Sequence, residues 1–401
     1  MAMQDLTRTI PARRQLKISY WSKSLNFSTV QYNVEVCKID RAQPFHMGRR
    51  ISWHSMVINA TQDWTKYEFV ASSWDGEVGL FVGLQPDGAP TPQQQPTTGS
   101  IWFADIQVED TAMHNVVRRA GAPLRIYDPV SLVQYKEGRD FDTIAPVANF
   151  TGFSSGPQST SNITAPKGSR LQPGQRVLAD YYAVDLVFGG DTYACMMHHD
   201  MFQYMERTMQ SVLGQYDKYA GMFIHYDEIR TMHGCELCSG PFDTAGELLA
   251  WHAANATWTI KNAAGKSGKR FTNPVMTWDD MFNPFHNAGD SYFLINGTLN
   301  GSWLGLDPSV TVVNWGAGDP DTGRQGLEFF SQRGHEQIFA GYYDSHDGVA
   351  SATSEVRIAS TGGEGGRIKG VDAWMYTTWR NNYTEMCRYA ETIRNLTAAG
   401  P

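Results

Sequence analysis

From Leu16 to about Glu109 the apolar positions come in short alternating runs: LKISYWSK, VQYNVEVCKI, KYEFVASSW, VGLFVGLQ and SIWFADIQVE. Period-two alternation in β-branched and aromatic residues, bounded by Asp, Gly, Pro and Asn, predicts strands with one buried face. Little helical spacing interrupts them, so an antiparallel β-sandwich is expected. The stretch PDGAPTPQQQPTTG between two of the runs predicts a loop. A β-rich piece, PLRIYDPVSLVQYKEGRDF, and a Ser/Gly/Pro-rich piece, FTGFSSGPQSTSNITAPKGSRLQPG, follow. This places a domain boundary near residue 145, with residues 1–145 as the sandwich and 146–401 as a second domain.

Beyond the boundary, strand and helix alternate. RVLADYYAVDLVF, GMFIHYDEIR, PVMTWDDMF, VTVVNWGAG, IFAGYYDS and VDAWMYTTW read as strands. MFQYMERTMQSVLGQYDKYA, TAGELLAWHAANATWTIKNA, LEFFSQRGHEQ and NYTEMCRYAETIRNL read as helices from their apolar spacing. Alternating β and α predicts a parallel sheet. Apolar strands that end in polar or aromatic residues are the pattern of a (β/α)-barrel, whose active-site groups stand at the C-terminal strand ends. The expected fold class is therefore α/β plus all-β: a TIM-like (β/α) barrel behind an antiparallel β-sandwich. The barrel is incomplete, with roughly six strand–helix units where eight are needed. A doubly wound sheet is the alternative, but no glycine-rich phosphate loop accompanies these strands. Six units leave sheet edges to be covered, and a homodimer is the expected cover.

Charge narrows the partners. A net charge of −8 and a charged fraction of 18% argue against nucleic acid or an anionic membrane surface. No apolar run is long enough to span a bilayer. Twelve Trp, 18 Tyr and 19 Phe are an aromatic supply suited to stacking on sugar rings, although many must fill cores. An oligo- or polysaccharide is the expected partner, with no cofactor. A secreted or periplasmic location would suit such a substrate, although MAMQDLTRTIPARRQ lacks the apolar stretch of a signal peptide. Asn-x-Ser/Thr triplets at Asn59, Asn149, Asn296 and Asn395 arise readily by chance.

Candidate chemistry centres on His225-Tyr226-Asp227-Glu228-Ile229-Arg230. In an extended strand, Phe223, His225 and Asp227 would share one face and Met222, Ile224 and Tyr226 the other, which suits packing on helices. Two adjacent carboxylates repel, so one can keep a proton as a general acid while its neighbour stays ionised. A strand-end ion pair with Arg230 is the simpler alternative. Further strand ends offer Trp278, Asp279 and Asp280, then Asn314 and Trp315, then Tyr342, Tyr343 and Asp344, and finally Trp374, Tyr376 and Trp379. Acids and indoles recurring at that position fit a sugar subsite.

The motifs HYDE, TWDDM, VVNWGAG, AGYYDS and DAWMYTTW, in that order over roughly residues 175–380, resemble the later strands of family 20 glycoside hydrolases, the β-N-acetylhexosaminidases. The resemblance implies Glu228 as general acid/base and Asp227 as the residue orienting a substrate acetamido group. It also implies that Tyr343 or Tyr342 bonds that group, and that Trp278, Trp315 and Trp374 wall the pocket. The family has glycines before its Asp-Glu pair, where this chain has His225 and Tyr226. The first domain resembles carbohydrate-binding sandwiches. A second mechanism stays open, that of a retaining β-glucanase, in which Glu228 is acid/base and Asp344, or Asp280, is the nucleophile. A non-catalytic saccharide-binding protein is the reading from a different class. Finally, His233-Gly-Cys235-x-x-Cys238 could bind a metal with help from Cys195, His198 or His199, form a disulfide, or remain free thiols.

Overall fold

The computed structural model describes residues 2–5, 14–28, 31–39, 47–73, 78–83, 98–111, 113–146, 163–184, 194–216, 221–266, 274–289, 292–315, 320–342, 344, 347–361 and 366–398. The chain forms two compact units, Met1–Tyr193 and Ala194–Pro401.

In the first unit the alternating runs become strands β1 (Ala2–Asp5), β2 (Arg14–Leu25), β3 (Gln31–Ile39), β4 (Met47–Val57), β5 (Gln62–Ser73), β6 (Val78–Gly83) and β7 (Ser100–Asp110). They pair in two antiparallel sheets, ordered β1-β6-β3-β4 and β5-β2-β7. Strand β2 shows the cause. Leu16, Ile18, Tyr20, Ser22 and Ser24 are buried, while Gln15, Lys17, Trp21 and Lys23 reach solvent, with Ser19 the buried exception on that face. Tyr20 stacks on Tyr67 with ring centroids 5.7 Å apart. On the outer face Lys23 lies opposite Trp102 and pairs with Asp63, the residue before Trp64. Both indoles are exposed, Trp64 at 42% and Trp102 at 41%.

Three short strands, β8 (Arg125–Tyr127), β9 (Gln134–Tyr135) and β10 (Leu178–Asp180), make a further antiparallel sheet in the order β10-β8-β9. Its core includes Met113, Val116, Ile126, Phe141 and Leu171. Arg170 reaches back to buried Asp140 with two bonds, of 2.8 and 2.5 Å. Residues 163–184 therefore fold with 113–146, across the position where the sequence suggests a boundary, and the two units divide after Tyr193. The described part of RVLADYYAVDLVF accordingly lends three residues to an antiparallel sheet and none to a parallel one.

The second unit runs α1 (His199–Gln215), β11 (Met222–Phe223), β12 (Thr231–Met232), α2 (Glu236–Ser239), α3 (Ala245–Lys266), β13 (Val275–Trp278), β14 (Leu294–Ile295), β15 (Val310–Asn314), α4 (Pro320–Gln332), β16 (Gln337–Gly341), α5 (Gly348–Ser360), β17 (Val371–Tyr376) and α6 (Met386–Ala398). Five strands form a parallel sheet in chain order, β11-β13-β15-β16-β17, and β12 pairs with β14 beside it. The protein is thus mixed α/β, with one five-stranded parallel sheet and several antiparallel ones. A doubly wound sheet reverses its strand order partway across, and this order does not reverse. Helices cover the sheet through two clusters. Met209, Leu213, Ile260 and Ala264 pack on Val275, and Leu327, Ile358 and Ala359 pack on Phe339 and Val371. Among the described residues no helix is long and apolar enough to cross a membrane.

The last residue of β16, Gly341, must lack a side chain, because a Cβ there would lie 1.6 Å from Glu355 Oε1. Glu355 is buried on α5 and accepts bonds from Ser351 Oγ at 2.6 Å and from the Tyr389 hydroxyl. Burial pushes its carboxyl from 4.5 up to about 7. Between those values the folded chain keeps the proton and the unfolded chain releases it, so stability falls as pH rises through this window. Glu355→Gln is expected to flatten that fall by on the order of 3 kcal/mol. Urea denaturation of both proteins across the window checks this, and parallel pH profiles would contradict it.

Candidate active site

The site begins where β11 stops. Met222 and Ile224 pack on α1 and α3, and Tyr226 is buried with its hydroxyl 2.6 Å from Nδ1 of His252 on α3. Burial pulls His252 down to about 4, leaving the ring neutral at physiological pH. Parallel pairing continues past the strand. Ile224 N–H donates to Met276 O at 2.8 Å, and the His225 carbonyl accepts from Trp278 N–H at 3.1 Å and from Thr277 Oγ1 at 2.7 Å. The backbone then turns sharply, with φ of 60° at His225, 63° at Tyr226 and 41° at Glu228. Such left-handed residues cost about 1–3 kcal/mol each and persist where surrounding bonds over-determine them. The strict alternation expected of a strand therefore ends at His225. Instead Glu228 N–H is brought onto Asp280 Oδ2 at 2.9 Å.

Asp279 and Asp280, at the end of β13, are fully buried. Asp280 also accepts from Asn287 Nδ2 at 2.9 Å and from the Trp315 indole at 3.3 Å. Asp279 accepts from Trp315 N–H at 3.0 Å and from Asn283 Nδ2 at 2.7 Å, and His286 Nδ1 lies 3.7 Å from it. Burial, and then the Asp279 charge, raise Asp280 to about 7. Burial, and then the neighbouring Glu228 charge, also raise Asp227. For His286 burial opposes the charged form, but Asp279, Asp280 and Glu228 together outweigh it and raise its pKa. Glu228 itself is held by the Arg230 guanidinium and by the Tyr292 hydroxyl, which donates to Oε1 at 3.2 Å.

The structure thus gathers Asp227, Glu228, Asp280 and Trp315 into one constellation. Trp278 lies beside it, meeting Phe223 edge-on at 5.0 Å, and exposed His225 meets the same Phe223 at 5.1 Å. The residues of β16 and β17 engage one another. Tyr342 is buried, stacks on Tyr376 at 4.4 Å and accepts from Asn382 Nδ2 at 3.0 Å. Asp344 accepts from Thr378 Oγ1 and Trp379 N–H, each at 2.5 Å, and from Arg380 N–H at 2.9 Å. Burial opposes ionisation of Asp344, yet these bonds prevail and lower its pKa. Trp374 packs into the helix layer with Phe339 and Ile358, so its ring is used in the core. Trp379 is 74% exposed, and Tyr343 lies outside the described residues.

Sequence reasoning missed Asn283, His286, Asn287 and Tyr292. The first three follow Asp279 and Asp280 at intervals of four to seven residues, in a chain of tight turns (Phe282 N–H to Asp279 O at 2.8 Å, His286 N–H to Asn283 O at 2.9 Å), and that spacing was the available signal. Tyr292 had none. Among the described residues, metal-type donors gather elsewhere in two groups, at Cys195, Cys235 and Cys238 and at His198, His199 and Asp200. No protein-family model matches the chain, and no curated protein matches it.

Neighbouring carboxyl groups in unlike environments are what proton transfer to and from a substrate requires. Their arrangement depends on Asp280. Asp280→Ala would strand the Glu228 N–H, the Asn287 amide and the Trp315 indole. It is expected to lower stability by about 3 kcal/mol or more, while Asp280→Asn, which keeps an acceptor, costs less than half of that. Denaturant titration decides, and an Asp280→Ala variant within about 0.5 kcal/mol of wild type would contradict the role.

Proposed function

We propose that the chain is a glycoside hydrolase acting on β-linked saccharides, with Asp227 and Glu228 as its acid/base machinery. The observation that carries this reading is the placement of the pair against buried Asp280 and the Trp315 indole at the C-terminal ends of parallel strands. Strands adjacent in chain order, with helices packed on them, support a partial (β/α)-barrel, whose chemistry sits at that end. The raised Asp227 and the tethered Glu228 are two carboxyls with different tasks. In the terms of the family 20 resemblance, Glu228 protonates the leaving oxygen and Asp227 orients an acetamido group that attacks the anomeric carbon. Exposed Trp64 and Trp102, on the strands flanking β2, supply flat apolar surface for sugar faces and support a carbohydrate-binding role for the sandwich.

Asp344 fits the alternative nucleophile poorly, because its oxygens already serve three donors of the 378–380 loop. One observation favours the non-catalytic reading. The Arg230 guanidinium occupies Glu228 Oε2, and catalysis requires that oxygen to be released to a substrate.

A hydrolysis screen on aryl β-glycosides with and without an N-acetyl group tests the proposal. Activity is expected on the N-acetyl series, and Glu228→Gln should lower it about a hundredfold or more where the leaving group needs a proton. Good leaving groups should suffer less. No hydrolysis of any aryl glycoside, or unchanged turnover in the variant on a poor leaving group, would count against it.

A further inference from the structure

Three thiols converge in the second unit, away from the carboxylates. Cys195 lies four residues before α1, Cys235 immediately precedes α2, and Cys238 lies within it. Their sulfurs stand 3.7 Å (195–235), 3.2 Å (195–238) and 3.5 Å (235–238) apart. Cys235 and Cys238 are buried, at 7% and 4% exposure. Each partner segment is a tight turn. His198 N–H donates to Cys195 O at 3.1 Å, while Cys238 and Ser239 N–H donate to Cys235 O at 3.0 and 2.9 Å. The second is the turn that a Cys-x-x-Cys spacing makes when both donors face one ion, whereas the His198 ring groups with His199 and Asp200, its Nδ1 3.6 Å from Asp200 Oδ2.

Distance separates the possible readings. A disulfide brings two sulfurs to about 2.05 Å and leaves the third unused. Four ligands around zinc at about 2.3 Å, in tetrahedral array, put neighbouring sulfurs about 3.8 Å apart. The 3.7 and 3.5 Å separations lie close to that edge length, and the 3.2 Å separation is nearer to it than to a disulfide bond. His233, the histidine beside the motif, is already committed, with its ring nitrogens 3.0 Å from Asn296 O and 2.9 Å from Phe242 O. The third thiol therefore comes from Cys195, 40 residues upstream of Cys235.

The geometry points to a structural zinc site in which the thiolates of Cys195, Cys235 and Cys238 supply three of the ligands to one divalent ion. Sulfur-rich ligation selects zinc over magnesium or calcium, which prefer oxygen. Binding converts three thiols to thiolates with release of their protons. The ion ties the start of α1 to the loop carrying β12, which pairs with β14 just after Tyr292, the residue that donates to Glu228. The site is independent of the hydrolase reading.

Cobalt titration of the full chain, reduced and stripped of metal by chelator, tests it. One equivalent should give a sulfur-to-cobalt charge-transfer band with the intense visible bands of tetrahedral coordination, and zinc should bleach both. Loss of even an outer-shell partner costs about 10–100-fold in metal affinity. Cys195→Ser and Cys235→Ser should therefore weaken binding at least about tenfold. Cys387→Ser, at an exposed thiol on α6, should not. Absence of the charge-transfer band in the reduced wild-type chain would overturn the proposal even if a variant misfolds. So would peptide mapping that finds Cys195 and Cys238 joined in a disulfide.

Discussion

Burying two adjacent carboxylates at the end of β13 is costly, and the structure around it is arranged to meet that cost. A buried acid must be hydrogen-bonded, protonated or paired, and Asp279 and Asp280 use all three devices. Asp279 holds the Trp315 N–H and the Asn283 amide with His286 nearby. Asp280 holds the Glu228 N–H, the Asn287 amide and the Trp315 indole. Through these bonds the pair ties the ends of β11, β13 and β15 together. The left-handed residues at His225, Tyr226 and Glu228 become tolerable because their neighbours are fixed from outside. The Asp227–Glu228 pair is thus positioned by a strained turn, which is in turn held by a buried acid.

That dependence also explains a division within the parallel sheet. The ends of β11, β13 and β15 point polar groups at one another, while those of β16 and β17 are committed to their own loop. Tyr342 stacks on Tyr376, and Asp344 caps residues 378–380. The ion proposed at the three-cysteine cluster would supply a second anchor, from the start of α1 to the loop after Arg230. Both anchors bear on Glu228, one through its backbone N–H and the other through Tyr292.

Much of this was legible in the residues. Burial along β2 alternated as its sequence required except at Ser19, and Met222 and Ile224 packed on helices as their spacing required, while Tyr226 reached α3 only after the left-handed turn at His225. Other features were hidden for physical reasons. RVLADYYAVDLVF has the composition of a buried strand, but pairing decides its sheet, and its described part pairs antiparallel with Arg125–Tyr127. Trp374 and Tyr342 carry the same polar-tipped rings whether they wall a pocket or fill a core. Tyr292 acts on Glu228 from 64 residues away, a relation no local pattern encodes. Cys195 could be joined to Cys235 and Cys238 only after the chain was folded.

The central claim is that Asp280 is a buried acid, its carboxyl pKa raised by burial, that holds the turn bearing Glu228 by accepting the Glu228 N–H. Carboxyl carbon NMR of the aspartate-labelled chain, followed through a pH titration, tests it most directly. One aspartate resonance should titrate at about 7, far above the ordinary value of 3.8, and should vanish in Asp280→Asn. Titration of every aspartate resonance in the ordinary range near about 4 would contradict the account.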